Sequence, residues 1–338
     1  DFVYSWQRIL SPPLAAEYAY LLFCLKNAQA FNEGRITDFS EVGVRALDDH
    51  TLEVVLEHPT PYFLAMQIHS AWLPVHPPTI ERFGDIDSRS TPWTRAGNHV
   101  SNGAFSLTVW RPNDILSVRR NPHYWGAEAV RLDGIDFYPI DNQQTEERSF
   151  RTGELHITST IPLDKVDRYR QDNPEVLNIH PYLGIYFYRM NVTRPPFTDP
   201  RVRRAFTLSL DRETLTRNVL TGDEPPAYHF TPPGITGYNP EARVTPDLEE
   251  ARRLLAEAGY PDGRGLPPVD LLYNTAKSHK RIAEAVQRMW KERLNVEVRL
   301  MNQDWKVYLS SLNNLDYAIA RSAWVADVVD PINFLECF

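Results

Sequence analysis

The residues best suited to chemistry lie together at 321–331, Arg-Ser-Ala-Trp-Val-Ala-Asp-Val-Val-Asp-Pro, directly after the alternating run Tyr317-Ala318-Ile319-Ala320. That run reads as a buried strand, so Arg321, Trp324 and Asp327 would stand past a strand end, where open α/β sheets bind ligands. A carboxylate beside an indole can receive a cation such as an ammonium, through charge-assisted hydrogen bonds and the electron-rich ring face. Asp327 is flanked by Ala326 and Val328, which leaves two readings: a ligand-facing carboxylate, or a turn aspartate bonded to its own backbone. Asp330 precedes Pro331 and an apolar run, the pattern of a helix N-cap with proline at the first helical position. Arg321 is equally open to ligand contact and to a structural pairing with Asp316 or Asp327.

The elements that must position these groups are clearest in the last third. Strands are predicted at 269–273, 296–300 and 317–320, with helices at 280–293 and 305–312 between them. This βαβαβ order predicts parallel pairing through right-handed crossovers. The carboxyl ends of the strands then carry 274–279, 302–305 and 321–327, three polar or aromatic clusters on one rim. His279 sits on that rim just before a helix, where the alternative is a merely solvated histidine. Further back, Asp199-Pro200 and Asp211 read as helix N-caps. An amphipathic helix over 247–258 ends at Gly259, placed as its C-cap.

The first half reads differently. Helical spacing of Phe2, Trp6 and Ile9, then of Tyr18, Leu21, Leu22 and Leu25, predicts two helices broken at Ser11-Pro12-Pro13. A hairpin is predicted about Asp48-Asp49-His50, and a short helix after Thr60-Pro61-Tyr62. Antiparallel strands are expected at 104–110, 115–119 and 132–140, short helices at 143–152 and 163–171, and strands at 176–180 and 182–190. Tyr182, Tyr186, Phe187 and Tyr188 either pack a sheet or stack on a ligand, and Tyr182 is carried as a candidate ligand contact.

At 338 residues the chain exceeds what one core usually supports, so two or more domains are expected. Hydrophobic residues make up 42% and charged residues 24%, the balance of a globular protein. With 36 Lys+Arg against 44 Asp+Glu the net charge is −8, which argues against a nucleic-acid partner. No apolar run approaches the length of a membrane span. The chain opens at Asp1 inside an apolar element and stops as abruptly, so an internal fragment of a longer protein is expected. Two cysteines, Cys24 and Cys337, constrain the compartment little.

Catalytic signatures are largely missing: there is no His-Glu-x-x-His, Gly-x-Ser-x-Gly, phosphate-binding glycine loop or Cys-x-x-Cys. The ten histidines are scattered, and His69 and His76 lack a common helical face, so neither a metal nor another cofactor is expected. A hydrolase using Asp327 with His279 is the alternative of another class.

Beyond these local readings, the sequence resembles the peptide-binding proteins of bacterial ABC importers, the solute-binding family (family 5) that includes the periplasmic oligopeptide-binding and dipeptide-binding proteins. The resemblance is collinear almost from end to end. It is carried by DFVYSWQR at 1–8, ALDDHT at 46–51, PYF at 61–63, NGA at 102–104, RNPHYW at 120–125, PPF at 195–197, DPRVR at 199–203, ARRLLAEAGY at 251–260, LYNT at 272–275 and the 321–331 stretch.

The resemblance implies a two-lobed α/β periplasmic-binding-protein fold of the cluster C type, with an extra small domain, closing on its ligand by hinge motion. Residues 1–76 would be the small lobe, 77–183 part of the main lobe, and 184–338 the second large lobe. It gives Asp327 the ligand's α-ammonium and Trp324 the neighbouring tryptophan position. It also matches Arg321 to the preceding arginine, His279 to a histidine near the ligand's carboxyl end, and His69 and Tyr18 to ligand-lining positions of the small lobe. Leu312 stands where a second arginine is expected, and a lysine expected near Leu220 is missing, so the group holding the ligand carboxylate is left open. The implied role is a monomeric, non-catalytic receptor in the periplasm or on the outer face of the cytoplasmic membrane. It would deliver short peptides to ABC permease subunits, with a signal peptide upstream. The rival ligand within the family is a non-peptide solute: a nickel chelate, an oligosaccharide or an opine.

Overall fold

A computed structural model of the chain describes residues 1–180, 182–220 and 224–337. The chain divides into two compact units, Asp1–Asn142 and Gln143–Phe338.

In the first unit, α1 (Phe2–Leu10) buries Trp6 and Leu10, and the Trp6 indole donates to the Trp72 carbonyl at 3.1 Å. The expected second helix does not form as one piece. A 3-10 turn over Ala19–Leu22 gives way to α2 (Ala28–Asn32), because the intervening backbone is drawn into strand-like bridging. Leu25 bridges Leu56, and Lys26 N–H donates to the Val55 carbonyl at 2.9 Å. Gly43 lies against the same crossing, where a Cβ would stand 2.2 Å from the Val55 oxygen, so only glycine fits. The predicted hairpin is formed by β1 (Val44–Ala46) and β2 (Leu52–Val54), and α3 (Phe63–Met66) and α4 (Pro77–Glu81) follow. Then β3 (Phe105–Arg111), β4 (Ile115–Arg120) and β5 (Gly134–Phe137) make an antiparallel meander, as expected.

The second unit opens with α5 (Gln143–Arg151) and α6 (Val166–Asp172). The strand expected at 176–180 is absent. Pro174 starts a 3-10 turn over Pro174–Val176, and 177–180 find no ladder partner among the described strands. Next come β6 (Gly184–Met190), α7 (Pro200–Leu208), α8 (Arg212–Leu215) and α9 (Leu248–Glu257). The carboxylates of Asp199, Asp211 and Asp247 cap these three helices by accepting from Arg201, Thr214 and Glu250 N–H, and Gly259 takes the expected positive φ, 96°.

The last third is β7 (Val269–Asn274), α10 (Lys277–Leu294), β8 (Val298–Gln303), α11 (Trp305–Asn313), β9 (Ile319–Val325) and α12 (Ile332–Leu335). The four strands lie in the order β6-β9-β7-β8, with β7, β8 and β9 parallel and β6 antiparallel to β9. Alternation on β7 sends Leu271 and Tyr273 to a core shared with α7, α9 and α10, and Leu272 to a smaller one with Tyr308 of α11. The chain thus leaves β7 over one face to β8, then crosses the other face to reach β9 on the far side of β7. That reversal makes the carboxyl ends of β7 and β9 a topological switch point, where such sheets leave a crevice.

Candidate functional site

Arg321 does not stand past the strand, as its sequence context suggested. Strand β6 pairs with β9 as far as Gly184 opposite Val325, which keeps Arg321 within the ladder. Two residues on from fully buried Ile319, it faces α10 and meets Tyr186 diagonally across the β6 ladder. Its guanidinium lies 4.9 Å from the Tyr186 ring centroid, and Nη1 donates to Asn274 Oδ1 at 3.3 Å, at the carboxyl end of β7. Neither structural pairing expected for it forms: Asp316 pairs with Arg194 at 3.2 Å. Among the described residues no carboxylate comes within ion-pair distance of Arg321, and its Nε is buried without a hydrogen bond.

His279 lies in the first turn of α10, which starts at Lys277 rather than at 280. Its Nδ1 is 3.5 Å from the Tyr186 hydroxyl, so Tyr186 ties Arg321 and His279 together. Burial, with the Arg321 charge adding to it, pushes His279 down to about 4, so it is neutral at pH 7. Burial likewise pushes the Tyr186 phenol up, Arg321 opposing, and it stays protonated.

Trp324 and Asp327 form a second group at the end of β9: Trp324, like Arg321, stays within the ladder, opposite Ile185, and only Asp327 lies past the strand. Ala326 N–H donates to the Leu183 carbonyl at 2.9 Å, continuing the register of the β6 ladder. Asn333, in the first turn of α12, then reaches back. Its Oδ1 accepts from the Trp324 indole at 3.1 Å and from Asp327 N–H at 2.9 Å. Asp327 is half-buried. Helix α12 begins one residue later than the capping pattern implied, with Pro331 at its cap position. Asp330 still accepts from Ile332 N–H at 2.9 Å, which removes it as half of a carboxylate pair. His279 makes no hydrogen bond to Asp327, so the hydrolase alternative lacks its nucleophile–base geometry.

In the first unit, Tyr18 and His69 lie together with ring centroids 4.7 Å apart, and Tyr20 stacks on Tyr18 at 6.1 Å. His69 Nδ1 accepts from Ala71 N–H at 3.1 Å, which leaves Nε2 as the nitrogen carrying the proton in the neutral ring. Tyr182 stands apart. It precedes β6, is 77% exposed, and makes no ring contact or side-chain hydrogen bond to a described residue.

Three supporting residues escaped sequence reasoning. Tyr186 reads in the sequence as sheet packing or ligand stacking, not as a support for Arg321, and Asn274 merely as a strand end. Asn333, six residues after Asp327, carries no motif signal at all. Among the described residues no group of three His, Cys, Asp or Glu side chains is arranged to hold a metal, and no helix is long and apolar enough to cross a membrane.

Comparisons with known proteins agree with this architecture. The model of the bacterial extracellular solute-binding proteins, family 5, matches residues 1–338. The periplasmic oligopeptide-binding protein OppA of Escherichia coli (strain K12) is 37% identical over 348 residues, covering 99% of this chain and 62% of that protein. The oligopeptide-binding protein OppA of Bacillus subtilis (strain 168) is 35% identical over 351 residues, covering 100% of this chain and 63% of that protein. Among solved structures, Haemophilus influenzae OppA in complex with RPPGFSPFR superposes with a TM-score of 0.89 at 34% identity, over 100% of this chain and 67% of that one. The chain therefore spans about 62% of the length of the first of these relatives. With a mixed α/β fold and end-to-end similarity, it belongs to the bacterial extracellular solute-binding proteins of family 5.

Proposed function

We propose that the protein captures short peptides outside the cytoplasm and hands them to ABC permease subunits in the membrane. The observation that carries this reading is the pairing of Trp324 and Asp327 by one amide at the exit of β9, beside the switch point of the sheet. A half-buried aspartate joined to an indole through one amide suits an α-ammonium, the one cation common to all unblocked peptides. Six residues back, Arg321 offers a cation that no carboxylate among the described residues pairs with. The two poles are thus within about 20 Å along the chain, the span of a short zwitterion. His279 and Tyr186 accompany Arg321 at the carboxylate end. Tyr18 and His69 offer an aromatic lining in the small lobe, and Tyr182 is the exposed contact. Relatives named as oligopeptide-binding proteins, one of them in complex with RPPGFSPFR, support the peptide over a metal chelate, sugar or opine.

In this reading the protein is a monomeric receptor without catalysis, exported by a signal peptide encoded upstream. Residues 1–76 serve as the small lobe, 77–183 as part of the main lobe and 184–338 as the second large lobe, closing by hinge motion. Calorimetric titration of the full-length protein with one tripeptide in free, N-acetylated and C-amidated forms tests it. Tight binding of the free form, lost on acetylation, is the expected result. Failure of all three after removal of co-purified ligand would overturn the peptide assignment.

A further inference from the structure

Asn333 is 6% exposed, and both hydrogen bonds of its side chain converge on the group proposed to hold the ammonium. The indole Nε1–H and the Asp327 backbone N–H are donors only. The atom facing them must therefore be the amide oxygen, which fixes the orientation of the side chain. Its helix is anchored in turn. Asp330 caps Ile332, while neighbouring Phe334 is fully buried and lies 6.5 Å from Phe230, which meets Phe187 of β6 at 4.9 Å. The Asp327 backbone is thus held on both sides, through Ala326 N–H to Leu183 and through its own N–H to Asn333. One oxygen sets both the rotation of the indole and the point from which the carboxylate projects.

We infer that Asn333 is a positioning residue for ligand capture: it locks the Trp324 ring and the Asp327 carboxylate into one preformed ammonium receptor. This rests on the peptide reading above. Preorganisation of this kind lowers the ordering cost of binding, and its loss is felt in affinity even where the fold survives.

The test uses the full-length protein, a free-amino tripeptide and its N-acetylated form, with three variants. Asn333→Ala and Asn333→Leu remove the acceptor; Asn333→Asp keeps an oxygen that can accept both N–H groups. The expected result is a 10- to 100-fold loss of free-amino peptide affinity in the Ala and Leu variants, and rescue to within about fivefold of wild type in Asn333→Asp. In ligand-free protein the Trp324 indole N–H should exchange faster and shift upfield in NMR spectra of the Ala and Leu variants, and stay near its wild-type position in Asn333→Asp. Either of two results would overturn the inference alone: wild-type affinity in Asn333→Ala, or an Asp variant as impaired as the Ala variant while both remain folded. If wild-type protein bound neither peptide, the peptide reading itself would fall, and an unchanged indole signal in Asn333→Ala would then dispose of the lock as well.

Discussion

The guanidinium of Arg321 lies 4.9 Å from the Tyr186 ring centroid, and no carboxylate answers it among the described residues. A cation withdrawn from water without a counter-charge costs stability, and the ring and the Asn274 amide offset only part of that cost. In the proposed reading, the ligand carboxylate supplies that counter-charge.

Arg321→Met should therefore act in opposite directions on stability and on binding. Thermal unfolding of the ligand-free protein should be unchanged or shifted upward. Affinity for a peptide with a free carboxylate should fall by about 1.5–3 kcal/mol, the range for hydrogen bonds to charged groups. The C-amidated peptide should hardly notice the substitution. A large loss of stability in the variant would mean that Arg321 is a structural residue.

His279 gives a pH dependence whose sign can be worked out. Its folded value, about 4, lies below the ordinary 6.5, so between those values the unfolded chain binds a proton that the folded chain does not. Stability from this group is fully present above about pH 6.5 and is lost as the pH falls toward 4. The melting temperature should fall through that window, and the fall should be shallower in His279→Phe. NMR titration of the imidazole should show a midpoint near the lower value; a midpoint near the ordinary one would contradict the buried setting.

Trp290 joins the helix that presents His279 to the rest of the second unit. It is fully buried among Phe206 and Tyr188, and its indole donates to the Phe206 carbonyl at 3.0 Å, linking α10 to α7. Trp290→Ala should cost about 3–5 kcal/mol in denaturant unfolding, the range for large buried aromatics. Trp290→Phe should cost less, about 0.5–1.5 kcal/mol for the lost hydrogen bond, because the Phe206 carbonyl still accepts from the Ser209 hydroxyl at 3.0 Å. A negligible cost for Trp290→Phe would show that the hydrogen bond contributes nothing.

How much of this was legible in the sequence depends on how far apart the interacting residues lie. Asp199 and Asp211 act on N–H groups two or three residues away, and local chemistry disclosed both; Asp247 caps its helix in the same way, but the sequence marks it only as the start of an amphipathic stretch. The βαβαβ run was equally readable, because each element carries its own periodicity. Where β9 ends was not, since Arg321 through Val325 stay in the ladder only by pairing with β6, well over a hundred residues upstream. The helix expected through Leu25 failed for the same reason, a bridge to Leu56. Tyr186 looks the same in a sequence whether it packs a sheet or carries a cation. Asn333 is an ordinary helical asparagine until its oxygen is seen between two donors.

The central claim, that Asp327 receives the ligand's ammonium, is tested most directly by a two-by-two titration of wild-type and Asp327→Ala protein with free-amino and N-acetylated forms of one peptide. Breaking a desolvated charge pair should cost about 3–5 kcal/mol for the free-amino peptide in the variant, and little for the acetylated one. A loss below about 0.5 kcal/mol, within the range of a solvent-exposed ion pair, would contradict the assignment.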